Sequence, residues 1–503
     1  MSSKQNGASA WLWWVLGIVV LARLLTLGSY PLTDTTEARY GEVARKMAEL
    51  GNWVTPLYDY GVPFWAKPPL TTWLSAISIQ LFGVNEFAAR LPYLLLAVLI
   101  AWVVWQWVRG LAVDADDGGQ QAQWTVALLC GTLLYLIASA AVMTDLGLVL
   151  GTTLAMRGFW AAFQSDFLLG GGFGTTNKPN EVWLLFIGLG IGLLAKGPVA
   201  VVLSGVPIGL WMLLTGNIRT SWQRLPWIKG SLVTLAIAAP WYVMAEIRTP
   251  GFWEYFFIGE HWKRFTVTGW AGDKYGTAHA TQRGAIWLYA VAAAMPWPAL
   301  LPLLWFGRKK SLASKPLQPQ PQRKRAQRDF TLYLLAWSAA PCLFFTMSGN
   351  ILWTYVLPGL PAMALLAARW LSGGVRVRWI NTVLGTGVLA MSLLVAAFFV
   401  REELADSWKT AKTVVQVHLA SGSSGPSQSL YFMGDLPYSA SFYSQGKAKF
   451  VLDNAALGQV LGSSALRVAL NPDQVRALPA ELKARLQQQA SSGAYTLYAY
   501  SPK

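Results

Sequence analysis

Cysteine and histidine are nearly absent from this chain, with two of the first and three of the second in 503 residues. Cys130 and Cys342 both fall in apolar runs, which excludes a disulfide-stapled ectodomain and says nothing of redox compartment. No second His or Cys stands at ligand spacing from His261, so the pattern of a structural zinc site is missing. Charge is scarce as well: 13% of residues are Asp, Glu, Lys or Arg, against 54% hydrophobic. A soluble domain carries about twice that charged share, so the excess apolar surface must meet lipid. There is no internal repeat of solenoid length. The first apolar run, Trp11 to Tyr30, lacks a small-residue cleavage signature and is expected to be a retained first span.

What is present is a series of long apolar runs. Trp11 to Tyr30, Trp183 to Leu214 and Ile380 to Val400 each supply the ~20 residues that a helix needs to cross a bilayer. The 27 Trp suit a chain with many membrane interfaces. Lys and Arg number 40 against 24 Asp and Glu, a net +16. The cluster Arg308, Lys309, Lys310, Lys315, Arg323, Lys324, Arg325 and Arg328 lies between two apolar runs, as a cytoplasmic loop does under the positive-inside rule. No aromatic residues interleave with it, which argues against a nucleic-acid partner.

Spans starting near Trp11, Phe87, Trp124, Gly147, Trp183, Val199, Trp227, Ala285, Phe330, Leu352 and Ile380 put the N-terminus in the cytoplasm and the tail outside. The expected fold is an all-α polytopic membrane protein of about 11 to 13 transmembrane helices. Residues 1–400 form its membrane domain, with outer loops at 31–86 and 248–283 and a basic cytoplasmic loop at 307–329. Asp114 to Gln123 and Gly170 to Gly174 read as plain cytoplasmic connections.

In the first outer loop Ala38, Tyr40, Val43, Met47 and Leu50 recur at helical spacing and Gly51-Asn52 ends the pattern. Glu42, Arg45, Lys46 and Glu49 read as the solvated face of that helix. A shorter apolar helix from Pro68 to Gly83 is expected along the interface. The tail, 401–503, alternates β-like runs (Thr413 to Leu419, Leu430 to Met433, Lys449 to Leu452, Leu466 to Leu470, Tyr495 to Tyr500) with helical ones (Ala455 to Leu461, Asp473 to Gln489), the pattern of a small soluble α/β domain.

Charges beside a membrane are costly unless paired or functional, so the outer loops are where chemistry is expected. They supply Asp34, Glu37, Arg39, Tyr40 and Lys67, then Glu260, His261, Lys263 and Arg264; Asp145 in a turn and Tyr355 near a span end join them. Carboxylates there can deprotonate an acceptor, cations can hold a phosphate and aromatics can stack on a sugar. Each also has a structural reading. Asp34 and Glu37 have the spacing of a capping-box variant, Lys67 of an interfacial snorkel, Asp145 of a helix cap, and His261 of a hydrogen-bonding residue. Arg23, inside the first span, reads as a snorkel or half of an internal ion pair.

The runs Thr33 to Met47 (TDTTEARYGEVARKM), Gly51 to Pro56 (GNWVTP), Lys67 to Leu70 (KPPL) and Phe82 to Pro92 (FGVNEFAARLP) resemble the lipid A 4-amino-4-deoxy-L-arabinose transferases of the wider protein mannosyltransferase-like group. Leu194 to Pro198 (LAKGP), Phe252 to Phe257 (FWEYFF), Glu260 to Phe265 (EHWKRF) and Tyr355 to Pro358 (YVLP) extend the likeness to about residue 370. The resemblance implies a C-type glycosyltransferase fold with a periplasmic cavity, in a bacterial inner membrane, using a sugar on polyprenyl phosphate and a lipid A or other envelope glycan acceptor. Position by position, it implies that Lys67 and Arg264 hold the carrier phosphate, that Arg39 and Tyr40 line the cavity, and that Tyr355 is a further contact. Asp145 matches a family acidic residue. Asp34, Glu37 or Asp145 is then expected as the base for a hydroxyl acceptor. This chain departs at Ala66, where the family has an acidic residue, and at Thr36, where it has an Asp. A divalent metal is compatible with these residues and not required by them. The alternatives are a protein O-mannosyltransferase-like enzyme, or a lipid flippase or transporter, which would show charged, broken segments at mid-membrane.

Overall fold

The computed structural model describes residues 2–111, 115–164, 180–276, 280–307, 321–372, 376–404, 406–421, 429–461 and 466–500. Arg308, Lys309, Lys310 and Lys315 of the basic cluster, Asp114 and the 170–174 connection lie outside them. The architecture is a helical bundle followed by a small sheet-bearing tail. Glu86–Arg109, Trp227–Arg248 and Val377–Glu402 are each long and apolar enough to cross a membrane, and Ile286–Ala293 with Trp297–Trp305 is long and apolar enough only when taken together across its 61° bend. Shorter apolar helices, Ala10–Thr26, Leu70–Phe82, Trp183–Lys196 and Val199–Thr215, pack among them. Large side chains stay uncovered on this bundle, with Ile228 79% and Leu288 75% exposed, as lipid-facing surface requires.

The apolar run Trp183 to Leu214 is not one helix. It reverses at Gly197, whose φ of +84° suits glycine, and Pro198 then caps the next helix. Trp183–Lys196 packs against Asp145–Ala161 almost backbone to backbone. A Cβ at Gly151 would stand 2.7 Å from Gly192 Cα, and one at Gly188 or Gly158 would run into the facing main chain. Small residues permit such approach where lipid supplies no hydrophobic drive between helices. This seam fixes where Asp145 begins one helix and Lys196 ends the other.

In the first outer loop Thr36–Leu50 is the amphipathic helix, closed by Gly51 at φ +65°. A hairpin unseen in the sequence, β1 (Leu57–Asp59) with β2 (Val62–Pro63), folds onto it. The expectation of a solvated charged face fails here: Glu42, Arg45 and Lys46 are buried. Arg45 pairs with Glu42 and Glu49, each at 2.7 Å, and Lys46 with Asp59 at 3.2 Å. The hairpin and the tail cover the charges, and mutual pairing makes the burial tolerable. Arg23 is satisfied by the Leu136 carbonyl at 2.7 Å.

The tail forms a five-stranded sheet, β3 (Ser429–Met433), β4 (Lys449–Val451), β5 (Leu466–Leu470), β6 (Gln487–Ser491) and β7 (Thr496–Tyr500), in the order β4-β3-β5-β7-β6. β3 runs parallel to β4 and β5, while β7 is antiparallel to β5 and β6. Two assignments change. Lys412–Ala420 is a helix, because Val414, Val415 and His418 share one buried face at helical spacing. The run Asp473 to Gln489 breaks at Pro479 and ends in β6. The tail is tied to the first loop and to the bundle through Lys412–Glu86 at 2.6 Å and Tyr443 Oη donating to Glu86 at 2.9 Å.

Candidate active site

Two cavities meet at one end of the bundle. One, of about 150 Å3, is polar and lined by Arg39, Tyr40, Lys67, Asp145, Lys196, Glu260, Arg264, Asp273 and Tyr355. The other, of about 190 Å3, shares Lys67, Lys196, Glu260, Arg264 and Tyr355 and is otherwise walled largely by Val199, Val202, Leu203, Phe265, Phe344 and Phe345. The structure thus brings Arg39, Tyr40, Lys67, Asp145, Glu260, Arg264 and Tyr355 of the sequence candidates together.

Glu260 is the hub. It lies in a π-helix, Glu254–Lys263, and Arg264 follows one turn on. Its carboxylate accepts both N–H bonds of Arg264 Nη1 at 2.9 Å and bonds Lys67 Nζ. Burial opposes its charge, yet Lys67 and Arg264 hold its carboxyl below the usual range. Arg264 also reaches Asp273 at 3.2 Å. Asn350 pins the end of this segment, donating to the carbonyls of Arg264 at 2.7 Å and Val267 at 2.8 Å. Lys67 precedes Pro68-Pro69, which start the helix Leu70–Phe82 and so fix its direction.

Lys196 and Asp273 were not singled out from the sequence. Lys196 Nζ pairs with Asp145 at 2.6 Å and lies over the Tyr355 ring at 4.7 Å. Its signal was a cation ending an apolar helix just before Gly-Pro; Asp273, in a Gly- and Trp-rich loop, offered none. Each member of the Lys196–Asp145 pair also complements the dipole of its own helix. Counted formally, the four cations and three carboxylates among the described residues of the polar cavity leave one positive charge, a setting for an anionic ligand. Arg39 donates to the Tyr275 carbonyl, stands 5.4 Å from the Tyr40 ring, and keeps a buried Nε–H without a bond among the described residues.

Three candidates have other partners. Asp34 bonds the Ser439 N–H at 3.0 Å and the Ser439 hydroxyl, joining the first loop to the tail, and it lines a separate cavity there. Burial raises its pKa. Glu37 receives Arg90 through two bonds of 2.7 and 2.8 Å. Neither forms a capping box, for Thr35 is the N-cap and makes no side-chain bond. His261 lines the apolar cavity but is held through Nδ1 by the Phe256 carbonyl at 2.7 Å and through Nε2 by the Lys196 carbonyl at 3.3 Å, so it ties the loop in place, and burial lowers its pKa. Among the described residues no group of three or more His, Cys, Asp and Glu is gathered to hold a metal ion.

Fold and site together define a multi-pass helical membrane protein with a cationic cavity that opens into an apolar one. Residues 10–256 match the model of the dolichyl-phosphate-mannose-protein mannosyltransferases. The undecaprenyl phosphate-alpha-4-amino-4-deoxy-L-arabinose arabinosyl transferase of Erwinia tasmaniensis is 31% identical over 69% of this chain and 56% of its own length. That of Pseudomonas fluorescens is 30% identical over 77% of this chain and 64% of its own. This chain therefore spans less than two thirds of the length of these curated relatives. The crystal structure of ArnT from Cupriavidus metallidurans bound to undecaprenyl phosphate superposes with a TM-score of 0.74 over 98% of this chain and all of that one, at 18% identity, which shows a common fold. The chain belongs to the protein mannosyltransferase-like family that includes the aminoarabinose transferases.

Proposed function

We propose that this chain transfers a sugar, 4-amino-4-deoxy-L-arabinose or a close relative, from a polyprenyl-phosphate carrier to lipid A or another envelope acceptor. The reaction takes place on the periplasmic face of the bacterial inner membrane, with the N-terminus cytoplasmic and residues 401–503 a periplasmic domain. The observation that carries this reading is the junction of the two cavities. Three cations, Lys67, Lys196 and Arg264, stand where polar and apolar space meet, as a phosphate on a long prenyl chain demands. The names of the relatives point the same way.

Lys67 and Arg264 hold the carrier phosphate, and Glu260 with Asp273 keeps them aimed. As the anomeric carbon–oxygen bond breaks, the leaving phosphate gains charge that these cations already face, so no protein acid has to protonate it. The remaining work is positioning and, for a hydroxyl acceptor, removal of one proton. Of the three candidate carboxylates only Asp145 lines the polar cavity. Its pairing with Lys196 at 2.6 Å keeps it oriented.

Purified protein should release polyprenyl phosphate from a polyprenyl-phosphate sugar and glycosylate lipid A, read by mass spectrometry. Equal or better turnover with a soluble nucleotide sugar refutes the proposal. Sidedness has its own test. A cysteine at exposed Ser421 should react with an impermeant maleimide on intact cells stripped of their outer membrane, and one at exposed Gln327 should not. Reversed labelling would put the cavity on the wrong face.

A further inference from the structure

A second polar cavity, of about 660 Å3, lies against the tail sheet and takes no part in the chemistry above. Topology makes it. β3 leads through the helix Tyr438–Tyr443 to β4 on one side, and β4 leads through Asn454–Val460 to β5 on the other. Parallel crossovers that depart in opposite directions open a crevice outside the carboxyl ends of β3 and β5, the place where open α/β sheets take ligands. The residues that follow those strands are the ones lining it: Gly434 and Asp435 after β3, Asn471 and Gln474 after β5. Gln474 braces the mouth, donating from Nε2 to the Met433 carbonyl at 2.8 Å and accepting from the Asn471 N–H at 2.9 Å.

The lining selects a ligand class. Among the described residues of the wall Asp34, Glu42, Asp59 and Asp435 face Lys46 as the one cation, so a phosphate is repelled here while the cavity around Lys67 attracts it. Asp435 is exposed, and nothing among the described residues bonds or pairs with its carboxylate. Beside it Phe450, 57% exposed, offers an uncovered ring face. Free acceptors next to ring faces match a saccharide, whose hydroxyls and amines donate while its C–H face packs on the rings. Thr35 lines both this cavity and the cationic one, so a glycan seated here lies next to the transfer centre.

We propose, on the transferase reading given above, that this crevice between the tail sheet and the first outer loop is the subsite for the acceptor's uncharged or amine-bearing sugar. The test uses the full-length protein in detergent, titrated calorimetrically with a glucosamine disaccharide free of acyl chains and phosphates. Wild type and Lys67→Ala should bind it alike, while Asp435→Ala and Phe450→Ala each weaken binding about tenfold or more. Both side chains are exposed, so folding is not at stake. In transfer assays the same two substitutions should raise the acceptor KM, read at saturating donor, by a similar factor, and leave kcat and the donor KM, read at saturating acceptor, near wild type. No disaccharide binding by the wild type, or equal binding by all four proteins, overturns the subsite. A wild type that binds the disaccharide yet transfers no sugar from a polyprenyl-phosphate donor refutes the transferase reading and leaves the saccharide site standing.

Discussion

Asp145→Asn is expected to cut turnover by a factor on the order of 10² to 10⁴ while the protein still folds and still binds polyprenyl phosphate. The amide keeps the shape and a bond to Lys196, which sits 2.6 Å away, but it cannot accept a proton. Loss of the charge should therefore appear in kcat and not in the donor KM. Asp34→Asn is the matched control. Its carboxylate bonds Ser439 of the tail and lines the tail crevice instead of the cationic cavity, so kcat at saturating acceptor should stay near wild type. Near-normal turnover of Asp145→Asn would mean that the acceptor is already ionised, as a lipid phosphate is, and the base assignment would fall. A large loss in Asp34→Asn alone would move the base to the tail interface.

Arg90→Ala is expected to be the most damaging single change to stability, at about 3 to 5 kcal/mol, because it strands a carboxylate designed to be paired. Arg90 is fully buried, and all five of its N–H groups are used. Two go to Glu37 and three to the carbonyls of Leu27, Tyr30 and Pro31, so the residue joins the end of the first span to the start of the active-site helix. Arg90→Lys should rescue little, since an ammonium cannot reproduce the fork. The apparent unfolding midpoint in detergent measures this. A stable Arg90→Ala protein with weakened donor binding would instead make the pair part of the substrate site.

The outer-loop candidates were legible because cations and carboxylates beside a membrane have few cheap explanations, and because Lys67, Glu260 and Arg264 each sit in a motif with a defined direction. Partner identity was not legible. Glu37 and Asp145 look alike in sequence, each an acid opening a helix, yet one faces Arg90 and the other Lys196, 53 and 51 residues away. The same holds for Glu42, Arg45 and Lys46: a helical wheel distinguishes polar from apolar, but only tertiary structure says whether a polar face meets water or the β1–β2 hairpin. In the tail, β-branched residues in Lys412–Ala420 imitated a strand because propensity is a weak prior once a buried face at helical spacing is available. Lys196 was hidden for a different reason, since a cation at the end of an apolar helix has an ordinary snorkelling role.

The seam of glycines between Asp145–Ala161 and Trp183–Lys196 works as a ruler. The spacing of the two main chains, set inside the membrane at Gly151, Gly188 and Gly192, is what the distance between Asp145 and Lys196 reports at the cavity. A single methyl group added at Gly188, about two helical turns from Lys196, would stand 2.5 Å from the main chain of Gly151 and Ala155; it lies far from either substrate, yet it would spread the helices and the pair with them. Such a variant should insert and fold while losing turnover, so tolerance to substitution along this seam is governed by the tolerance of the chemistry at its end.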